Sequence, residues 1–315
     1  MTQLIGLTVA DDGTRRVVGK VDLFPGEITI DGKAHPVVWG SALGVPEKHR
    51  ATGVGLMLAM RMQTVGGWIG AFGVSQIALP LYSNLRWANL SLPRFVQVRR
   101  SRRFLAAYLK SEALAAILAP LADIAFALRR VLARTPGGYT LEPVDRMPED
   151  LADKFTTPDG AAPHRSPAWI NWLLATEFND VPTRRTDLFL VRKADTVMGY
   201  VLTKQRHFAD VTQRHVKDVT IASVQDWMSF DPGTLPETDL LALAVGAAAR
   251  GNPDAVEVCT ADPAEQQAMR RAGLIAMGQL NFLCRPARGT ALADEKWRDP
   301  ANWRLRPAEG DNFWT

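Results

Sequence analysis

The chain has 315 residues, 47% of them hydrophobic and 22% charged, with a formal net charge of +4. That is ordinary globular composition, with room for one large domain or two of about 150 residues. It excludes a disordered, collagen-like or disulfide-stapled chain; Cys259 and Cys284 lack metal-ligand spacing and read as small buried hydrophobes.

The first residues carry no basic region followed by a long apolar run, so no signal peptide and a cytoplasmic location are expected. Leu4–Ala10 and Arg16–Phe24 are β-rich runs separated by the turn Asp11–Thr14. Ile28–Ile30 and Ala34–Val45 follow, split by Asp31-Gly32, a hairpin signal. Next comes the basic turn Glu47-Lys48-His49-Arg50-Ala51-Thr52-Gly53-Val54-Gly55, which opens into an apolar helix running to about Gln63. Such a turn aims several backbone N–H groups and the positive end of a helix dipole at one spot, which suits a phosphate or pyrophosphate. Gly53 and Gly55 allow a close approach to an anion. Gly66-Gly67 stop the helix, Trp68–Val74 is a short strand, and Ser75 is expected to cap a helix reaching Asn84. Leu90–Val98 closes this segment as a strand.

Nine Lys and Arg stand against two acidic residues between Arg94 and Arg134, a local net charge of +7 that leaves −3 for the rest. Residues 99–134 have a helical pattern, apolar over Ala113–Leu128 except for Asp123 and interrupted by Pro120. The stretch is too short and too broken for a membrane span. It reads as an inter-domain helix packed on the core, with an interfacial membrane contact as the alternative. No recognition motif accompanies the arginines, so nucleic acid is not expected.

Thr135–Gly138 is a linker, after which the chain starts again: strand Tyr139–Val144, helical Met147–Phe155 and Ser166–Ala175, strands Thr186–Lys193, Thr196–Arg206 and Val216–Phe230. Helix Pro236–Arg250, strand Ala255–Cys259, helix Pro263–Ala272 and final strands over Leu274–Arg285 complete it. The tail, 288–315, is polar and carries Trp297, Trp303 and Trp314 as ring anchors.

The run Arg50-Ala51-Thr52-Gly53-Val54-Gly55 resembles the acyl-coenzyme A loop of the GNAT acyltransferase superfamily, which reads Arg or Gln, two residues, Gly, one residue, Gly or Ala. A second match follows: Ala78 and Tyr82 fit the family's spacing, with Ser75 where Asn is usual and Arg86 where Gly is common. The element order after residue 139 is that of a GNAT domain, and the first segment repeats it from its second strand onward. The resemblance therefore implies an α/β (α+β) chain of two GNAT-like mixed-sheet domains in tandem, 1–98 and 139–287, joined by the basic helical linker 99–138, the first copy lacking its opening strand and helices.

The resemblance also implies a site. Ala42, Leu43, Gly44 and Val45 would line the pantetheine arm of acetyl-CoA, or of another acyl-CoA, in a V-shaped gap between two splayed strands. Arg50, Ala51, Thr52, Gly53, Val54 and Gly55 would hold the pyrophosphate, with Ser75, Ala78 and Tyr82 on the far side. Tyr82 would protonate the departing thiolate. The family often takes its base from a Glu on the fourth strand, but Ala34–Val45 has no carboxylate. Asp22, Glu27, Asp31, His35 and a water on Ser41 remain open. The second copy has only Gly233 in the matching place, and Glu237 and Asp239 would repel a pyrophosphate, so it is expected to be degenerate. Asp226, on a central strand, is either a satisfied structural carboxylate or a substrate contact. The five histidines do not cluster, so no metal is expected. The resulting expectation is N-acetyl transfer to a small-molecule amine, an amino sugar by analogy with tandem GNAT proteins of cell-surface polysaccharide pathways. A non-catalytic acyl-CoA-binding or scaffold protein is the alternative.

Overall fold

The computed structural model describes residues 2–9, 13–65, 67–133, 136–156, 160–175, 184–211, 216–286 and 295–309. Asp11, Asp12, Gly66, Arg134, Thr135, His215 and Trp314, which figure in the sequence reading, lie outside them. The chain divides into two compact units, Met1–Leu92 with Thr157–His164 and Gln279–Thr315, and Pro93–Thr156 with Arg165–Gly278.

The first unit is built on a mixed sheet. Its strands are β1 (Thr2–Val9), β2 (Arg15–Ile30), β3 (Lys33–Gly44), β4 (Trp68–Phe72) and β5 (Ala88–Asn89), with β14 (Phe282–Pro286) from the far end of the chain. They lie in the order β1-β2-β3-β4-β14-β5, and the short β8 (Ala161–Pro163) adds to β2. β3 and β4 run parallel, and α1 (Val54–Met62) makes the crossover such a pair requires. α1 and α2 (Leu79–Asn84) cover one face, packing on Val21, Leu23, Ile69 and Ala71. Trp297 and Trp303 are buried edge-on against Trp68, and the Trp303 indole donates to the Trp297 carbonyl (2.6 Å).

β2 is one strand where the sequence suggested two. Pro25 and Gly26 lie between the two runs; β1 pairs with β2 only as far as Leu23, and β8 begins at Ile28. Pro25 falls in the gap, where a missing N–H need leave no ladder bond unmade. Gly26 gives way to the indole of Trp39, which would stand 2.7 Å from any Cβ there.

The second unit carries its own mixed sheet. It comprises β6 (Leu92–Val98), β7 (Thr140–Val144), β9 (Arg184–Lys193), β10 (Thr196–Val211), β11 (Val216–Ser229), β12 (Ala255–Cys259) and β13 (Ile275–Leu280), in the order β13-β6-β12-β11-β10-β9-β7. β11 and β12 are parallel, with α6 (Glu237–Ala248) between them in sequence. α6 and α7 (Pro263–Arg271) bury Leu240, Leu241, Ala244 and Met269 against Val224, Trp227 and Val256.

The units cut across the sequence segments. Leu90–Val98 was expected to close the first domain, yet β6 pairs with β12 in the second sheet and Phe95 is fully buried in that core. The strands expected over Leu274–Arg285 go to different sheets, β13 to the second and β14 to the first, where Phe282, Leu283 and Cys284 are buried. An apolar strand carries no mark of which sheet edge it will complete.

The basic segment forms α3 (Arg102–Leu109) and α4 (Glu112–Val131). Pro120 does not break α4; Pro120 and Ala116, whose carbonyl it leaves without a helical donor, are both exposed. Nor is α4 a core helix: its buried residues are Ala115 and Ala119, and its large aliphatic residues are exposed.

Lys204 of β10 is 1% exposed. Burial, with Arg206 and Arg184 nearby, lowers its ammonium from the ordinary 10.5 to about 7. Between those values the folded chain binds fewer protons than the unfolded one, so stability rises with pH across that window. Lys204→Met should raise the thermal midpoint most below pH 7, with the gain narrowing toward pH 10 in melts at matched ionic strength.

Candidate functional site

β3 and β4 are register partners from Val37 and Trp68 to Gly40 and Ala71, and no further. Two local features divert them. In β3 a bulge sets Ala42 and Leu43 opposite the single residue Val21, with Ala42 left-handed at φ +50°. That conformation costs an L-residue on the order of 1 kcal/mol. In β4, Gly73 turns at φ +71°, and its N–H donates to the Asn281 carbonyl (2.9 Å). The Asn281 side-chain amide donates to the Val74 carbonyl (2.9 Å), so the end of β4 is held from the side away from β3.

The strands thus open a cleft of about 140 Å³. Ser41, Ala42 and Leu43 form one wall, Phe72, Gly73 and Val74 the other, and Ser75, Ala78 and Tyr82 complete it. Of the residues expected at the site, Ala42, Leu43, Ser75, Ala78 and Tyr82 are brought together here. Tyr82 is buried, its ring edge-on to Trp87 at 4.9 Å. Ser75 is not the helix cap expected of it: α2 starts at Leu79 with Ala78 at its N-cap, and the Ser75 carbonyl accepts from the amides of Ala78 and Leu79.

Gly44, Val45, Arg50, Ala51, Thr52, Gly53, Val54 and Gly55 lie outside the cleft lining and follow on to the N-terminus of α1. Where an open turn was expected, Glu47–Thr52 is a 3₁₀ helix, tied by Thr52 Oγ1 donating to the His49 carbonyl (2.7 Å). Gly53 then reverses the chain at φ +79° and begins α1. Amides of the first turn of a helix have no intrahelical acceptor, and no side chain caps this one. A Cβ on Gly53 would meet nothing within 4 Å, and one on Gly55 only Val45 Cγ2 at 3.6 Å. Both glycines therefore face open space. Arg50 is exposed beside it, its Nε donating to the Val45 carbonyl at 3.4 Å. The residues present fit a diphosphate in charge, donors and room.

Sequence reasoning missed what seats this helix. Gly6 and Gly19 are register partners in β1 and β2, and a Cβ on either would come within 2.8 Å of Val54 Cγ1. Glycine inside two strands was the available signal.

The register also sorts the carboxylates. Asp22 is the partner of Ser41, a cleft residue, so the two side chains share a face. Asp22 is nearly buried and accepts from Gln3 Nε2 (2.6 Å) and Lys20 Nζ (3.3 Å). Glu27 pairs with Pro36 and lies 3.7 Å from His164; Asp31 sits in the hairpin turn; His35 is opposite Ile28. All three are toward the hairpin end of β3.

In the second unit, the β11–β12 pairing ends at Ser223 and Glu257, and β11 then bulges at Gln225. Asp226 follows, 1% exposed. Arg165 grips it with two bonds (2.7 and 3.3 Å), and the Tyr200 hydroxyl donates to it at 2.7 Å. Burial, together with this carboxylate, raises the Tyr200 phenol well above its ordinary range. At the start of α6, Glu237 accepts from the Ser229 amide (3.0 Å), and Asp239 adds a second acidic group to the first turn.

No protein-family model matches the chain, and no curated protein matches it in sequence. Solved structures do share its fold. The chain is similar to a GCN5-related N-acetyltransferase from Anabaena variabilis ATCC 29413, at 14% identity and a TM-score of 0.53 over 87% of this chain and 61% of that one. It thus spans about three-fifths of that protein's length. It is also similar to Saccharomyces cerevisiae N-myristoyltransferase with bound myristoyl-CoA and inhibitors, at 12% identity and a TM-score of 0.57 over 93% of this chain and 72% of that one. At such identities the likeness establishes the fold, α/β with two mixed sheets of GNAT-like form, and leaves chemistry to the residues.

Asn281→Ala would leave the Val74 carbonyl without its donor. It should lower the unfolding free energy by about 1–3 kcal/mol in denaturant titrations, with an unchanged m-value.

Proposed function

We propose that this protein is an acyl-CoA-dependent N-acyltransferase that moves an acyl group, most simply acetyl, to a primary amine on a small molecule. One observation carries the reading: a parallel strand pair that parts into a backbone-walled cleft and leads directly to an uncapped helix N-terminus with open space before it. The shared fold supports it.

In this reading the first-turn amides of α1, with Arg50, hold the diphosphate. Bound acyl-CoA supplies the activated acyl group as a thioester. Backbone donors near Leu43–Val45 polarise the carbonyl under attack. Tyr82, in the cleft, gives its proton to the departing sulfur. The attacking amine must lose a proton as its C–N bond forms, and we assign its reception to Asp22, acting through Ser41 or a water on it. Asp22 is the only one of the sequence's candidate carboxylates whose register partner lines the cleft.

We further read the two units as copies of one architecture. Each has a parallel pair linked through a helix, and each has a bulge shortly beyond the last parallel partner. The second copy is taken to lack the coenzyme, because Glu237 and Asp239 occupy the first turn of α6. Asp226 is assigned a structural role, since Arg165 and Tyr200 meet its carboxylate.

A screen of acyl-CoA and amine pairs, read by thiol release, tests the activity. Tyr82→Phe and Asp22→Asn should each lower kcat by about 10²-fold with little change in acyl-CoA affinity. Arg50→Ala should do the reverse, weakening acyl-CoA binding by about tenfold. Calorimetric binding with no thiol release from any amine would favour a non-catalytic acyl-CoA binder.

A further inference from the structure

α4 is reversed relative to a helix that serves only a core. The residues turned toward its unit are small, Ala115 and Ala119. Leu114, Ile117, Leu121, Ile124, Leu128 and Val131 recur at alternating spacings of three and four and are 51–81% exposed. Between Glu112 and Arg129 the one charged residue is Asp123, which accepts from the Ser101 amide (2.7 Å). The apolar stripe is roughly 24 Å long, far beyond the scattered exposure normal for a water-facing helix.

A cavity of about 750 Å³ lies behind α3 and α4, in the size range of ligand sites. Phe104, Leu105, Phe126, Ile221 and Met277 line it, and Tyr108, 84% exposed, stands at its rim. The charged pair in its wall, Arg94 and Glu257, is bridged at 3.7 Å, and Arg94 Nε also donates to the Met277 carbonyl. The lining is therefore largely hydrocarbon.

We propose that α3 and α4 form a docking element for an anionic lipid bilayer, with the α4 stripe lying in the boundary between headgroups and acyl chains. Charge favours this occupant. Arg129 and Arg130, in the last turn of α4, are hydrogen-bonded to the neutral carbonyls of Leu274 and Val98, and exposed Lys110 precedes the helix. Cations thus flank the stripe at both ends, as binding to anionic lipid requires. Tyr108 beside Lys110 suits the interface. A second copy of the chain fits less well. Leu118, Pro120 and Ala125 flank the stripe, where a helix pair in water would carry charges.

The test is sedimentation of the full-length protein with vesicles of phosphatidylcholine, with or without phosphatidylserine. Phosphatidylserine should increase bound protein by about tenfold at low salt, and added salt should reverse the gain. Ile117→Glu with Leu121→Glu should abolish binding while the melting midpoint and acyl-CoA affinity stay unchanged; the milder Leu121→Asn should weaken it. Acyl-CoA affinity is scored separately, so loss of the acyltransferase reading would not be mistaken for loss of this one. Failure to sediment with either vesicle overturns the proposal, as does binding that ignores both substitutions. A dimer in solution that the same substitutions dissociate, without vesicle binding, assigns the stripe to a second copy instead.

Discussion

The parallel ladder between β3 and β4 stops at Gly40 and Ala71, and every candidate role in the first unit depends on that ending. Two paired strands do not part freely, because each backbone N–H and C=O released must find another partner. Here both strands are compensated. Gly73 and Val74 bond to Asn281 at the start of β14, and β3 takes up the divergence in its bulge against Val21. A gap with polar backbone walls is stable only under such conditions. The left-handed Ala42 is the local cost of keeping it open.

The same logic explains what was legible beforehand. α1, β3 and β4 could be read from apolar runs punctuated by glycine, and the Arg50–Gly55 loop from its spacing, because each is decided within a few residues. Ala78 and Tyr82 were legible by their spacing from Ser75 and from one another. Asn281 was not: it acts on Val74 across 207 residues, and no local pattern marks it. The bulge at Ala42 was equally silent, since alanine rarely takes a left-handed turn. Register made Asp22 a neighbour of Ser41, and register emerges only once the strands have paired. The destinations of β6 and β14 were hidden for a related reason. Both are apolar strands, and either sheet would have buried them.

The polar groups of the second unit follow an opposite rule. Arg165, Asp226 and Tyr200 are all buried, and they satisfy one another. Removing Arg165 or Asp226 would strand the other's charge, at about 3–5 kcal/mol, although the intact pair adds little net stability. In the first unit no side chain caps the first turn of α1; in the second, Glu237 and Asp239 lie in the first turn of α6.

Internal pairing also changes how the charge of residues 94–134 should be read. Arg94, Arg100 and Arg103 meet Glu257, Asp254 and Asp218, carboxylates that the segment itself does not contain. Part of the sequence's basic excess is thus the half of ion pairs that fasten α3 and its approach to the second sheet. What those pairs cannot account for is the hydrocarbon on α4. Ion pairing accounts for Arg94, Arg100 and Arg103, whereas Ile117, Leu121 and Leu128 gain nothing from water. Burial of small alanines on the inner face shows that the helix does not need large residues to pack inward. The demand for them must come from whatever meets its outer face.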